Sequence, residues 1–475
     1  MDALSRFWSG TRSHAYSSLQ ASESGGAGTE KQRKPVKFRQ ILIIACALVI
    51  PASLFLAYTM LWTTRDTSSM PRPRRFPGIR LNDIADVDAR DASLPQHNLN
   101  ASFPEGLSGR FVKFATQHRA AAEFGYLWTE LTALSTLALA AKRAHVFRTL
   151  VLPDQTEMPL GLFLSGPAAG GNWGRGVDAP RAISSVFWET VCPAERRRVV
   201  DIDAVENELG ITSSTDGKTV VDRWAKYLNE LPDNCVEVGG SRGIFDPEFW
   251  TASDRAISLW PTMASSPVVT RHAWSSPVMR GVMRNLPKIV TGLSPIQANG
   301  SASVDYSAYF ALRNYDDLLR PLVVLHVPSN IPCTPRFVGW AQIPALPDHD
   351  VASAACSPSV QQIVTKAGLA LEQYSATLLS QQAPPRRVYI MSDDADLVKR
   401  LTEELIMMSS GMWSSVTSSR DLVLQGLESS AKMGIEIEIA RRAALFVGNG
   451  FSPVTSMVTA LRLSQGSSPG SIRFW

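Results

Sequence analysis

The 475-residue sequence predicts an α/β protein with two doubly wound parallel-sheet domains. In the first half, Arg110–Phe114 (RFVKF) reads as a strand and a Leu- and Ala-rich stretch from Gly125 to Arg143 as a helix. Thr149–Pro153 (TLVLP) then reads as a second strand, which completes a strand–helix–strand unit. In the second half the same alternation returns from Leu322 to the C-terminus. No repeat of solenoid period competes with this reading.

Residues 1–40 are rich in Ser, Gly and basic side chains and read as a disordered cytoplasmic tail. Residues 41–62 (ILIIACALVIPASLFLAYTMLW) are uncharged and long enough to span a bilayer, which takes about 20 helical residues. A signal peptide would start nearer the first residue, so the stretch reads as an uncleaved anchor. Lys31, Arg33, Lys34, Lys37 and Arg39 precede it and favour a cytoplasmic N-terminus. The expectation is a single-pass type II protein of the Golgi or endoplasmic reticulum membrane with its bulk in the lumen. Residues 63–108 read as a stem, 109–318 as an N-terminal α/β domain, and 319–475 as a C-terminal α/β domain.

Cysteine usage fits an oxidising lumen. Cys46 lies in the apolar stretch, which leaves Cys192, Cys235, Cys333 and Cys356. Four cysteines allow three connectivities; the pairs nearest in sequence, Cys192–Cys235 and Cys333–Cys356, are expected. Asn100-Ala101-Ser102 and Asn299-Gly300-Ser301 are glycosylation sequons usable on the luminal side. The net charge of +4 comes largely from tail and stem, and no aromatic–basic pattern points to nucleic acid.

In the second half, strands are expected at Leu322–His326 (LVVLH), Arg387–Met391 (RVYIM) and Ala444–Val447 (ALFV). Helices are expected at Val360–Gln381, around Asp396–Met408 and over Gly434–Arg442. The strand ends are His326, then Ser392-Asp393-Asp394, then Gly448-Asn449-Gly450-Phe451-Ser452-Pro453-Val454-Thr455-Ser456. In an open sheet such ends gather at one crevice. The last strand-turn-helix suits an anion: Gly448 and Gly450 permit a tight turn, and a helix N-terminus carries Ser452, Thr455 and Ser456. No Lys follows the glycines, so it is not a Walker loop, and a sugar-nucleotide diphosphate fits better than ATP.

Asp201-Ile202-Asp203 and Asp394-Ala395-Asp396 match the short Asp-x-Asp pattern of metal-dependent transferases, but carboxylates at such places cap helices. Asp348-His349-Asp350 reads as a surface loop, and Glu436 and Glu438 as solvated helix charges paired with Arg441 and Arg442. There is no nucleophile elbow, no HExxH and no zinc-type cysteine pair; His272 and His326 stand alone.

The C-terminal third, with VYIMSDDADLVKRLTEEL, SSRDL and EIEIARRAALFVGNGFSPVTSMVTALRLSQGSSPGSIRFW, resembles fungal membrane-anchored relatives of the GDP-fucose protein O-fucosyltransferases. MPLGLFLSGPAAGG, APRAISSVFWETVCPAERRRVVDI and FVGWAQIPALPD are similar to the same group. The resemblance implies two facing Rossmann-like domains of the inverting GT-B arrangement, GDP-fucose as donor, a protein or glycan hydroxyl as acceptor, and no metal or other cofactor. It makes 109–318 the acceptor-side domain and 319–475 the nucleotide-sugar-binding domain, and it assigns Ser452, Thr455 and Ser456 to the phosphates, Asp393 to the acidic strand end and Glu436 to the preceding helix.

Two departures weigh against transfer. Where such proteins carry His-x-Arg-Arg-Gly-Asp-Phe, this chain reads His326-Val327-Pro328-Ser329-Asn330-Ile331-Pro332-Cys333. Where they carry Gly-x-Asn-Asn-Gln, it reads Glu123-Phe124-Gly125-Tyr126-Leu127-Trp128. Loss of the guanidinium removes a bidentate partner for the leaving diphosphate, an effect on the order of 10²–10³ in rate. Arg336 is the nearest replacement in sequence. The expected function is therefore an O-fucosyltransferase-like glycosyltransferase, the alternative a non-catalytic relative that binds nucleotide or glycoprotein.

Overall fold

The computed structural model describes residues 81–116, 123–152, 156–251, 253–290, 319–329, 331, 339–348, 356–379, 382–408 and 411–475. The expected anchor (41–62), Asn299, Cys333, Arg336 and two residues of the Asp348-His349-Asp350 loop lie outside them. Among the described residues no helix is long and apolar enough to cross a membrane.

Helix α1 (Leu81–Ala92) precedes strand β1 (Phe111–Phe114), which helix α2 (Phe124–Ala140) connects to β2 (Ala144–Phe147). The second strand thus starts before Thr149, where it was expected. Leu150–Val151 (β3) and Glu157–Met158 (β4) form a separate antiparallel pair. Next come β5 (Ala182–Ser184), α3 (Ser185–Val191), β6 (Arg197–Asp201), α4 (Ile202–Leu209), α5 (Gly217–Glu230) and β7 (Cys235–Gly239). The N-terminal sheet is parallel, in the order β5-β2-β1-β7-β6. Short helices α6 (Pro247–Thr251), α7 (Ser253–Ser258), α8 (Trp260–Ser265) and α9 (Pro267–Thr270) lead to α10 (Ser276–Ile289).

The second half contains β8 (Leu322–His326), α11 (Val360–Ser375), β9 (Arg387–Met391), α12 (Ala395–Met408) and β10 (Ser415–Ser418). Helices α13 (Leu427–Ser430) and α14 (Lys432–Arg442), strand β11 (Leu445–Gly448), helix α15 (Pro453–Ser464) and strand β12 (Ile472–Phe474) complete it. This sheet is also parallel, in the order β10-β9-β8-β11-β12. All five β8 residues are buried, as a parallel strand covered on both faces requires. Strand order reverses between β8 and β11, where His326 stands opposite Gly448 in register.

The expected stem is shorter than read. Leu94 packs in the core, Gln96 Nε2 donates to the Gly171 carbonyl at 2.6 Å, and the Ser184 amide donates to His97 Nε2 at 3.0 Å. Residues 81–108 therefore belong to the N-terminal half. Cys192 and Cys235 form the expected disulfide, with Cα atoms 5.7 Å apart. Cys356 is disulfide-bonded as well.

One apolar cluster runs through both sheets, from Phe114 and Leu131 to Val324, Tyr389, Phe446 and Met457. Helices α10 and α14 interlock across the halves. A Cβ on Gly281 would lie 2.1 Å from Ile435 Cδ1, and one on Gly434 would lie 2.8 Å from Val278 Cγ2. Arg284 forms a salt bridge with buried Glu428 at 2.9 Å, and Asn285 exchanges two hydrogen bonds with the Val423 backbone at 3.0 and 2.7 Å.

Candidate functional site at the C-terminal strand ends

A crevice of ≈ 430 Å³ opens at the switch point of the C-terminal sheet. Its floor comes from His326, Met391, Ser392 and Asp393 at the ends of β8 and β9, and from Ser452 and Val454 at the start of α15. Lys432, Met433 and Glu436 of α14 form one wall, and Glu123, Phe124, Leu152 and Phe163 of the N-terminal half form the other. A ligand at such a switch point meets groups from several strands at once.

The two halves touch here backbone to backbone. A Cβ at Gly125 would lie 2.3 Å from the Pro453 carbonyl oxygen, so α2 and α15 bring their first turns together only because position 125 has no side chain. Gly448 serves a similar approach, since a Cβ there would meet Thr455 at 2.7 Å.

The expected phosphate-facing hydroxyls are largely spent on the fold. Ser452 Oγ caps α15 by accepting from the Val454 amide at 3.2 Å and the Thr455 amide at 3.5 Å. Thr455 Oγ1 is 2.7 Å from His326 Nδ1, and Ser456 Oγ accepts from the Trp340 amide at 2.7 Å. Pro453 carries no N–H. Of the three, Ser452 lines the crevice, whereas Thr455 and Ser456 are buried beneath it, and Gly450 is buried and not among the lining residues.

The electrostatics are acidic. Asp393 stands at the mouth, open to solvent, where its Oδ1 accepts from the Ser329 amide at 3.1 Å and its Oδ2 from the Ser329 hydroxyl at 2.7 Å. Desolvation pushes its pKa up, but these bonds outweigh it and hold the carboxyl below the usual range. Glu123, at the N-cap position of α2, is raised first by desolvation in the crevice wall and then by the Asp393 charge. Glu436 is also raised, chiefly by desolvation, with Lys432 opposing; its Oε1 accepts from the Tyr389 hydroxyl at 3.4 Å. Burial lowers His326 to about 3, so its imidazole is neutral. Lys432 is the one Lys or Arg among the described lining residues. Such a site can hold ligand hydroxyls, and a carboxyl with a raised pKa can accept a proton from one of them.

The acidic pair of α14 is not solvated as expected, because the helix lies between the C-terminal sheet and α10. Glu438 is fully buried and accepts from Trp274 Nε1 at 2.8 Å, Arg441 Nη2 at 2.6 Å and Arg442 Nε at 2.8 Å. The Asp-x-Asp carboxylates act as caps and surface partners. Asp201 Oδ1 accepts from the Ala204 amide, Asp394 Oδ1 from the Asp396 and Leu397 amides, and Asp203 Oδ2 from the Ser241 hydroxyl. Among the described residues no group of three or more His, Cys, Asp or Glu gathers as a metal site.

Sequence reasoning did not single out Glu123 and Lys432. Glu123 heads the segment that departs from the Gly-x-Asn-Asn-Gln pattern, and that departure was its available signal. Nothing local marks Lys432, which reaches the crevice through the placement of α14.

No family profile matches the sequence, and no curated protein matches it. Among solved structures, the chain is similar to the apo form of POFUT1, with 15% identity and a TM-score of 0.48 over 79% of this chain and 99% of that one. POFUT1 in complex with GDP-fucose gives 15% identity and a TM-score of 0.47 over 77% and 97%. An Arabidopsis thaliana FUT1 mutant in complex with GDP gives 12% identity and a TM-score of 0.35 over 79% and 73%.

Proposed function

We propose that the chain is a nucleotide-sugar-dependent glycosyltransferase of the two-sheet type, O-fucosyltransferase-like, with GDP-fucose as donor and a protein or glycan hydroxyl as acceptor. The observation that carries this reading is the crevice at the switch point of the C-terminal sheet, closed by the first turn of α2 from the other half. The sequence resemblance supplies the choice of donor. In this reading Lys432 faces the diphosphate, and Asp393 and Ser392 hold ribose or base hydrogen bonds; Glu123 accepts the proton of the acceptor hydroxyl as its oxygen bonds to the donor's anomeric carbon, and the bond from that carbon to the diphosphate breaks, releasing GDP against Lys432. No metal is required.

The test is calorimetric titration of the full-length chain with GDP, alongside turnover of GDP-fucose. Single-site GDP binding that Lys432→Ala weakens about tenfold is expected. Wild-type protein with no measurable GDP binding would sink the proposal.

A second reading, binding without transfer, is favoured by the charge balance. Among the described lining residues Glu123, Asp393 and Glu436 face Lys432 as the one basic group, and Thr455 and Ser456 are occupied by the fold. GDP binding with no fucose release or transfer selects this reading.

We place the chain in the Golgi or endoplasmic reticulum membrane as a single-pass type II protein anchored by residues 41–62. The Cys192–Cys235 disulfide supports an oxidising lumen. Exposed Asn100 gives the test: a glycosidase-sensitive mass shift, lost in Asn100→Gln, is expected if that side is luminal. Protease digestion of the bulk in intact microsomes would refute the topology.

A further inference from the structure

At the opposite end of the C-terminal sheet, where β8, β9, β11 and β12 begin, lies an open cavity of ≈ 580 Å³. Helices α11, α14 and α15 finish around it. Helix C-termini attract cations, and a few are expected here. The lining goes further: Arg320, Arg441, Arg442 and Arg462 face the cavity with the hydroxyls of Ser467 and Ser468, and no Asp or Glu is among the described lining residues.

Three of the four arginines are held in place by the fold. Arg441 and Arg442 share one carboxylate, Glu438. Arg462 is buried and meets no carboxylate among the described residues; its Nη1 donates to the carbonyls of Ala440, Arg441 and Ala443, and its Nη2 to Ala444 O, Ser471 O and Ser471 Oγ. Its Nε is buried without a hydrogen-bond partner among the described residues. Carbonyl ligation fixes the guanidinium but supplies no full counter-charge. Rigid guanidiniums are suited to tetrahedral oxyanions.

We propose that this cavity is an anion site for a phosphate- or sulfate-bearing ligand, seated between Arg320 and Arg442, with the buried charge of Arg462 behind them. The site is separate from the crevice and does not depend on what the crevice binds.

The test titrates the full-length chain with inorganic phosphate and, separately, inorganic sulfate, read by calorimetry at constant ionic strength. Saturable binding of at least one anion is expected, weakened tenfold or more by Arg320→Gln and by Arg442→Gln and unchanged by Lys432→Gln in the crevice. Arg320 is solvent-exposed, so its variant keeps the fold even if Arg442→Gln does not, and a thermal melt verifies this. No saturable binding in the wild type overturns the proposal. So does binding lost in Lys432→Gln but kept in Arg320→Gln. Equal weakening by all three variants would mark net-charge screening and overturn it as well.

Discussion

At the C-terminal ends of β8 and β9 the crevice is lined by Glu123, Asp393 and Glu436, with Lys432 as its one described Lys or Arg, whereas at the N-terminal ends of the same strands four arginines line a cavity with no described carboxylate. The contrast follows the helices. Helices α12 and α15 begin at the first end and α11, α14 and α15 finish at the second. Acids favour helix starts and bases favour helix ends. Glu123 at the N-cap position of α2 and Asp393 just ahead of α12 therefore already occupy the places where a diphosphate would find positive dipole ends. A strand-turn-helix offers an anion site only when the chain's own carboxylates and caps leave it open.

Four experiments test this contrast. The largest effect is expected at the arginine end, where Arg462 ties the end of α14 to the start of β12. Arg462→Met strands several buried carbonyls and should cost about 3 kcal/mol in chemical denaturation, with GDP binding unaltered. A loss below about 1 kcal/mol would show that the carbonyls find other partners. Next is Gly125→Ala at the crevice end, where the added Cβ meets backbone rather than a flexible side chain. Overpacking of this kind should cost about 2 kcal/mol and weaken GDP binding as α2 and α15 separate; an unchanged denaturation midpoint would contradict the contact.

Glu123→Gln removes one carboxylate facing the proposed diphosphate. At an effective dielectric of about 20–40 this is worth about 1 kcal/mol, so GDP should bind roughly fivefold tighter. Weaker binding would mean that Glu123 holds the ligand directly. The smallest effect concerns His326, whose pKa burial lowers from 6.5 to about 3. Between these values the unfolded chain binds the proton that the folded chain refuses, so stability falls as pH drops below 6.5. The penalty at pH 6 should be below about 1 kcal/mol, and His326→Gln should show a shallower acid slope in denaturation midpoints. Parallel slopes for the two proteins would place the acid sensitivity elsewhere, with His97 and His272 next in line, since burial lowers them to about 4 and about 3.

The second sheet was legible because its strands are uninterrupted apolar runs: Leu322–His326 and Arg387–Met391 form where their residues predict. Strands β10 (SVTS) and β12 (IRF) were not, being short and polar in part, with their strand character coming from pairing with β9 and β11. In the first sheet Ala144–Phe147 was masked by the more apolar run that follows it. The end of α11 was overestimated, as helix-compatible residues continue past Ser375 towards a Pro-Pro stop that comes only at Pro384. In the site, the strand ends His326, Ser392 and Asp393 were readable, since an open sheet gathers such ends whatever the sequence between them. The fate of Thr455 and Ser456 was not, because their partners, His326 and Trp340, lie more than 100 positions away. Burial of Glu436 and Glu438 was equally hidden, since it depends on α10 covering α14 from the other half.

The glycine interlock of α10 with α14, and the apolar cluster that continues through it, bear on how the molecule gains and loses its structure. Each sheet has the topology of a self-standing unit, yet Ile435 rests where Gly281 leaves room and Val278 where Gly434 does. Halves that share one core unfold together, so a single cooperative transition is expected. The ancestry of such a chain can be modular while its thermodynamics are not: neither half remains an exchangeable part, and a graft of either sheet onto a foreign partner would have to recreate both notches.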